Sequence, residues 1–385
     1  MKKNVFKSLL TMCALGAIFA ACSNEGNEVP DVTKGEKKTV FMKLNLGTTE
    51  NGTRAEENPI NNGTVATVKN LHIYFYKDAD KSIQKYVKIP QSEIAQYTTG
   101  KEISDVPVAA DKVLIRGNVP TSVVLPTGGS LTNVLNKEIE ITTQNNNDEI
   151  ILGHSSASAD ATIQTWNGSG SAPIAGMPSG AKYASVTIEP GVARVEVEGL
   201  KASGAISSFS LEGVYVNNFY QKLKLGDGSS SDKIQYGTDP LKYAQGQGLY
   251  TSTNTKLFDQ FNPALAAVSK EITAASGKRW AYHAFSNDAV AANDQLQLVF
   301  KLSNLTATGG VTFPTGNQFI TVRGFKDKAT NQIVKLEKGK IYSISKADFT
   351  FDESNLSTVP NTDAVGVWLK VTVKPWTVVA VKPNL

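Results

Sequence analysis

Cysteine, histidine and helical periodicity are scarce in this sequence, and each scarcity excludes a class of protein. Only two of the 385 residues are cysteines, Cys13 and Cys22, so no disulfide can join parts of the chain beyond them. The three histidines, His72, His154 and His283, lie far apart and lack a metal-ligand spacing such as H-E-x-x-H. Apolar burial must therefore stabilise the chain, which is long enough for two ordinary domains.

Catalytic motifs and strong charge are also lacking. The formal net charge is +4, and no run of Lys and Arg is interleaved with aromatic residues, which argues against a nucleic-acid partner. No nucleophile elbow, Walker loop or dinucleotide fingerprint follows a strand and opens a helix. The acidic stretches LGDGSSSD and KDADKS supply too few ligands for a closed calcium loop, and nothing singles out a glycosidase pair. We therefore expect no enzyme activity, cofactor or metal.

The first 22 residues indicate export. Three lysines precede an apolar run at residues 9–21 that is too short to span a bilayer comfortably as a mature helix. The run ends in FAAC, where two small alanines precede Cys22 as in a bacterial lipoprotein cleavage box, although Phe19 stands where an aliphatic residue is usual. We predict a signal peptide at residues 1–21 and a lipid on Cys22. The alternative is an ordinary signal peptide that happens to contain this cysteine.

Period-two alternation dominates the rest of the chain. It recurs in TVFMKLNL, LHIYFYK, ARVEVEGL, QLQLVFKL and QFITVRGF, between clusters of Gly, Asn, Ser and Pro that are typical of turns. Many short strands with scarce helical periodicity predict an all-β protein of antiparallel sandwiches. The stretch LFDQFNPALAAVSKEITAA is the one candidate for a short helix. Pro190 and Gly191 suggest a domain boundary, with domains at residues 55–190 and 191–385.

A removable strand is suggested near the N-terminus. One face of TVFMKLNL carries Val40, Met42, Leu44 and Leu46. Arg54 follows in the Gly-, Asn- and Thr-rich stretch GTTENGTRAEE, which favours exposure to an arginine-specific protease. A cut between Arg54 and Ala55 would remove residues 22–54, the tether and the strand together. The sheet left behind would have unpaired backbone groups and an open apolar groove.

The C-terminal stretch VWLKVTVKPWTVVAVKPNL offers a replacement strand. Its first half repeats the alternation with Val367, Leu369, Val371 and Val373. Pro375 cannot donate to a ladder and would divide the donor into two strands. In the second half the register stays open, because opposite faces carry Trp376 with Val378 and Val379 with Val381. Alternatively, the first and last segments simply complete their own domains.

Taken together, these segments resemble the fimbrillins, the major and minor shaft subunits of the type V pili of Gram-negative anaerobes. The resemblance covers essentially the whole chain. The motifs that carry the resemblance are, in order, the box at Cys22, TVFMKLNL followed by TRA, LHIYFYK, VLIRGNVP, VARVEVEGL, LEKGKIYSISKADFTF and VTVKPW. The resemblance implies two transthyretin-like β-sandwich domains in tandem and export as an outer-membrane lipoprotein. It also implies cleavage after Arg54, loss of the strand at residues 40–46, and insertion of residues 367–385 into the next subunit.

The resemblance further implies a homopolymer at the cell surface that supports adhesion and biofilm formation. Its expected partners are neighbouring pilin subunits, tip and anchor pilins, an arginine-specific protease, the membrane through the lipid before cleavage, and host or bacterial surface receptors. Two alternatives stay open. The chain could be an anchor subunit, which would keep its N-terminal strand, or a glycan-binding surface lipoprotein with Trp166 and Trp280 as sugar platforms.

Overall fold

Strands are the main secondary structure before residue 190, as the alternation predicts. The computed structural model describes residues 36–45, 56–59, 67–146, 148–154, 161–291, 293–360 and 367–375. The strands of the first half are β1 (Lys37–Asn45), β2 (Glu56–Glu57), β3 (Asn70–Lys77), β4 (Ser82–Pro90), β5 (Lys101–Pro107), β6 (Lys112–Gly117), β7 (Glu138–Glu140), β8 (Leu152–His154), β9 (Ala161–Thr162), β10 (Gln164–Thr165) and β11 (Lys182–Pro190). Two short helices interrupt them, α1 (Ile94–Thr99) and α2 (Thr132–Leu135).

The second half continues the pattern. Its strands are β12 (Ala193–Val197), β13 (Gly199–Ala202), β14 (Ile206–Asn217), β15 (Phe219–Lys224), β16 (Ser230–Ile234), β17 (Phe258–Ala266), β18 (Glu271–Thr273), β19 (Arg279–Ala284), β20 (Gln297–Ala307), β21 (Gln318–Asp327), β22 (Lys340–Ile344), β23 (Thr350–Phe351) and β24 (Val367–Pro375). The described part of the chain contains no helix with the length and apolar character needed to cross a membrane.

Two large sheets each enclose an apolar core. In the first sheet the strand order is β4-β3-β6-β8-β11-β1-β5, with β10 beside β11 and β9 beside β6. In the second it is β17-β14-β20-β21-β24-β22-β12-β19-β2. Strands that are far apart in the order of the first sheet, such as β3 and β5, contribute side chains to one buried apolar cluster. The sheet therefore wraps around a single core, and we call the two bodies the first and second sandwich.

The two sandwiches repeat one pairing scheme. Seven strands match in chain order, in spatial order and in relative direction: β1, β3, β4, β5, β6, β8 and β11 correspond to β12, β14, β17, β19, β20, β21 and β22. In both sandwiches the first strand runs parallel to the last and antiparallel to the fourth. The two sandwiches differ at one place. In the first sandwich β8 pairs directly with β11, whereas in the second β24 lies between their counterparts β21 and β22. Strand β24 is thus additional to the repeated seven-strand unit.

Two segments that precede residue 190 pack in the second sandwich. The predicted boundary lies between β11 and β12, yet β2 pairs with β19 and β7 pairs with β15. Apolar residues between β6 and β8, among them Ile139 and Ile151, belong to the second core. The buried Arg116 of β6 donates a 2.8 Å hydrogen bond to the carbonyl oxygen of Leu225. These contacts join the two sandwiches.

The helix expected within residues 257–275 does not form. The structure places β17 and β18 there instead, with β17 antiparallel to β14. Pro263 lies in the middle of the stretch, and a proline both removes a helix hydrogen bond and clashes with the preceding turn. Long-range pairing with β14 therefore overrides the local apolar pattern.

Candidate strand-exchange site

Strand β1 is an interior strand of the first sandwich. It runs parallel to β11 and antiparallel to β5, so both of its backbone edges are paired. Val40, Met42 and Leu44 are 0%, 0% and 1% exposed and belong to the first core, as the alternation predicts. Leu46 lies outside the described residues. Removing β1 would expose backbone groups on two neighbouring strands and open the core between them.

The connection that follows β1 leads to the other sandwich. Residues 46–55 join β1 in the first sheet to β2 in the second sheet. Arg54 and Ala55, the predicted cleavage pair, lie within this connection and outside the described residues, as does Cys22. Residues 56 and 57 then pair with Trp280 and Arg279 of β19. The predicted cut would therefore fall between two strands that belong to different sheets.

Strand β24, the first half of the predicted donor, pairs with its own chain in this structure. It is parallel to β21 from Val367 to Val371 and antiparallel to β22 from Thr372 to Pro375. Leu369 is 1% exposed and Val371 is 0% exposed, both in the second core. The backbones of Val367, Val373 and Pro375 belong to the strand, whose last residue is Pro375. The predicted second half lies outside the described residues, with Trp376, Val378, Val379 and Val381.

The positions of β1 and β24 between their neighbouring strands, which we call slots, are alike in strand length and in the directions of the neighbours. Each strand is nine residues long and carries alternating apolar residues. Each lies between one parallel and one antiparallel neighbour, β11 and β5 for β1, and β21 and β22 for β24. The extent of pairing differs, because β11 and β5 both pair with Val40–Met42 of β1, whereas β21 pairs with the first half of β24 and β22 with the second half.

A buried cluster of ions surrounds Glu57, which the sequence did not mark as special. Its Oε2 accepts a hydrogen bond from Arg194 Nη1 at 2.5 Å, and its Oε1 accepts one from Lys256 Nζ. Arg194 Nε donates to Glu196 at 2.9 Å. All four side chains are at most 2% exposed. Burial lowers the pKa of Lys256 to about 8, and the nearby Asp259 opposes this shift. A glutamate in a polar stretch gives no sequence signal for such burial.

His72 and His283 are buried, and each has a ring nitrogen close to an oxygen atom of the fold. His72 Nδ1 lies 2.8 Å from the hydroxyl oxygen of Tyr86, and burial lowers the pKa of His72 to about 4. His283 is fully buried, its Nδ1 lies 2.7 Å from the carbonyl oxygen of Gln144, and burial lowers its pKa well below the usual value. Within the described ranges no three side chains of His, Cys, Asp and Glu come together to hold a metal ion.

Trp280 cannot be a sugar platform in this structure. Its side chain is 0% exposed and packs against Phe261, with ring centroids 5.6 Å apart. Because stacking on a sugar requires an accessible ring face, the role considered for Trp280 is wrong. Trp166 is half-buried in a turn, where its indole N–H donates to the carbonyl oxygen of Ser169 at 3.4 Å.

Comparison with solved structures shows what this arrangement is similar to. A candidate cell adhesion protein from Bacteroides eggerthii has a TM-score of 0.55 and 16% identity, covering 91% of this chain and 98% of that chain. A fimbrilin from Porphyromonas gingivalis W83 has a TM-score of 0.53 and 14% identity, covering 89% and 99%. A candidate cell adhesion protein from Parabacteroides distasonis has a TM-score of 0.51 and 12% identity, covering 89% and 100%. Neither a protein-family model nor a curated protein matches the chain.

At these identities the likeness concerns the fold, and it extends over nearly the whole length of each chain. It confirms the all-β architecture and, at the level of fold, the resemblance to the fimbrillins. The chain therefore has a fimbrilin-like fold.

Proposed function

We propose that the chain is a structural shaft subunit of a fimbrium that supports adhesion and biofilm formation. In this proposal it is exported as a lipoprotein through Cys22, cut after Arg54, and polymerised by strand exchange at the cell surface. The observation that carries the proposal is the position of β1. This strand is an interior strand of the first sheet, between β11 and the end strand β5, and residues 46–55 connect it along the chain to the body that follows. One cut in that connection detaches a whole core strand.

The energetics favour exchange over simple loss of the strand. Three side chains of β1 are buried, and each contributes about 1.5–3 kcal/mol through burial, or about 4.5–9 kcal/mol together. Their removal also leaves β5 and β11 with unpaired backbone groups. A groove of this kind is filled most stably by another alternating strand, which is the mode of recognition known as β-strand addition.

Strand β24 fits the donor role through its length, its alternation and its slot. It already accepts one parallel and one antiparallel neighbour, as β1 does. It is also additional to the repeated seven-strand unit, in which β8 and β11 pair directly. Release of β24 would let β21 and β22 pair as β8 and β11 do. Donation therefore requires β24 to leave its own sandwich and enter that of a second copy.

A disulfide between β22 and β24 tests the donor role. Ser343 and Thr372 are register partners in an antiparallel pair, where Cα atoms lie about 4.5–5.5 Å apart, within the range for disulfides. We expect the cut Ser343→Cys/Thr372→Cys chain to remain monomeric when oxidised and to form detergent-resistant ladders when reduced. A matched control is Ser207→Cys/Thr306→Cys, which joins β14 to β20 at two side chains whose hydroxyl oxygens lie 2.7 Å apart. Polymer growth by the oxidised β22–β24 variant would refute donation by β24.

Sequencing the N-terminus of sheared surface filaments tests the cleavage. The shaft proposal requires a start at Ala55. A lipid-modified Cys22 as the start would favour an anchor subunit that keeps β1. The proposed partners are further copies of this chain, tip and anchor pilins, an arginine-specific protease and surface receptors.

A further inference from the structure

The residues just after the proposed cut are held in the second sandwich. Strand β2 begins two residues after Arg54 and is the last strand on the second sheet, paired with β19. Asn58 follows, and its Oδ1 accepts a 2.8 Å hydrogen bond from Lys278. These contacts place the start of the mature chain on a different sheet from β1.

Glu57 provides the buried ionic contacts of this segment. Arg194 binds one of its carboxylate oxygens and Lys256 binds the other. Arg194 also binds Glu196, so the cluster contains two formal positive and two formal negative charges. All of them are buried, which makes each charge dependent on its partners. Withdrawal of Glu57 would remove the carboxylate that both buried cations contact directly.

The consequence is an asymmetry between the two sides of the cut. Strand β1 is held by backbone pairing and apolar packing, which another strand can reproduce. Strand β2 is held by a buried ion cluster whose other members are fixed in β12 and in the segment before β17. An uncharged replacement strand would leave Arg194 and Lys256 without sufficient compensation.

We propose that Glu57 is an anchor that keeps the new N-terminus on the second sandwich after cleavage, so that the cut releases β1 alone. The inference rests on the proposed cut after Arg54. It assigns the Arg194–Lys256 pair as the binding site of the mature N-terminal segment. The anchor protects the edge of β19 while the groove in the first sandwich opens.

A label at the new N-terminus tests the anchor. Because both native cysteines precede Arg54, an Ala55→Cys chain cut after Arg54 carries a single cysteine for a fluorescent maleimide. We expect the label to tumble with the whole body in time-resolved anisotropy. In Glu57→Gln alone, docking buries Lys256 without the carboxylate oxygen that it contacts, so docking of the segment weakens roughly a hundredfold or more and the label is freed. The variant Glu57→Gln/Lys256→Met removes both members of one ion pair and keeps the buried charge balanced, so its segment should dock more firmly than that of Glu57→Gln.

The control is Glu337→Gln, which removes a surface pair with Lys340 and leaves the label immobile. Three results would overturn the anchor: a label that becomes mobile on cutting the otherwise unchanged chain, one that stays immobile in Glu57→Gln, or one that is equally mobile in Glu57→Gln and in the double variant. The measurement needs monomer only, so a failure of strand exchange is distinguishable from a failure of the anchor.

Discussion

Replacing Met42 with alanine isolates the contribution of one buried side chain to the retention of β1. Met42 is 0% exposed within the first core, and truncation at such a site costs about 2–5 kcal/mol. In the intact chain we expect the first sandwich to lose stability by this amount. In the cut chain β1 is held without a covalent link, so the same loss raises its dissociation constant by about 30-fold to several thousand-fold. The proposed polymer no longer contains β1, so we expect Met42→Ala to leave the stability of the polymer unchanged.

The assay compares release of the β1 fragment from variants cut in vitro. Lys43→Ala is the matched control, because Lys43 is the neighbouring residue on the opposite face and is half-buried. We expect fast release from Met42→Ala and nearly unchanged release from Lys43→Ala. Equal release from both variants, or a polymer destabilised by Met42→Ala, would refute the reasoning that β1 is a core strand lost before assembly.

Three further outcomes are expected. A Phe41→Cys/Glu102→Cys disulfide, made between register partners of β1 and β5, should block assembly of the cut chain until it is reduced. Because the pKa of His72 is about 4 when folded and about 6.5 when unfolded, the unfolded state binds more protons between these values. Stability should therefore fall as pH drops from 6.5 to 4, and urea titrations should show a smaller fall in His72→Gln. Trp280→Ala should cost about 3–5 kcal/mol in urea unfolding, since Trp280 is fully buried, and should leave glycan binding unaltered.

Local alternation predicted the strands well where one face is buried. In β1 the apolar residues Val40, Met42 and Leu44 occupy every second position and are buried. In β24 the same holds for Leu369 and Val371. A strand has a side-chain period of two, so this pattern is sufficient to identify the strand and its inner face. The same reasoning was wrong for residues 257–275, where an apolar run without clear period was assigned as a helix candidate and β14 imposed a strand.

The sequence by itself determined the all-β class, the buried face of β1 and the absence of disulfides beyond Cys22. The tertiary structure alone decided which strands are neighbours: that β24 fills a slot between β21 and β22, and that β2 joins the second sheet. It alone also revealed the burial of Glu57 against Arg194 and Lys256. The physical reason is that alternation specifies which side of a strand is apolar but carries no information about the strand beside it. Strand pairing and charge compensation depend on residues far apart in the sequence, 137 positions for Glu57 and Arg194, which only the folded chain brings together.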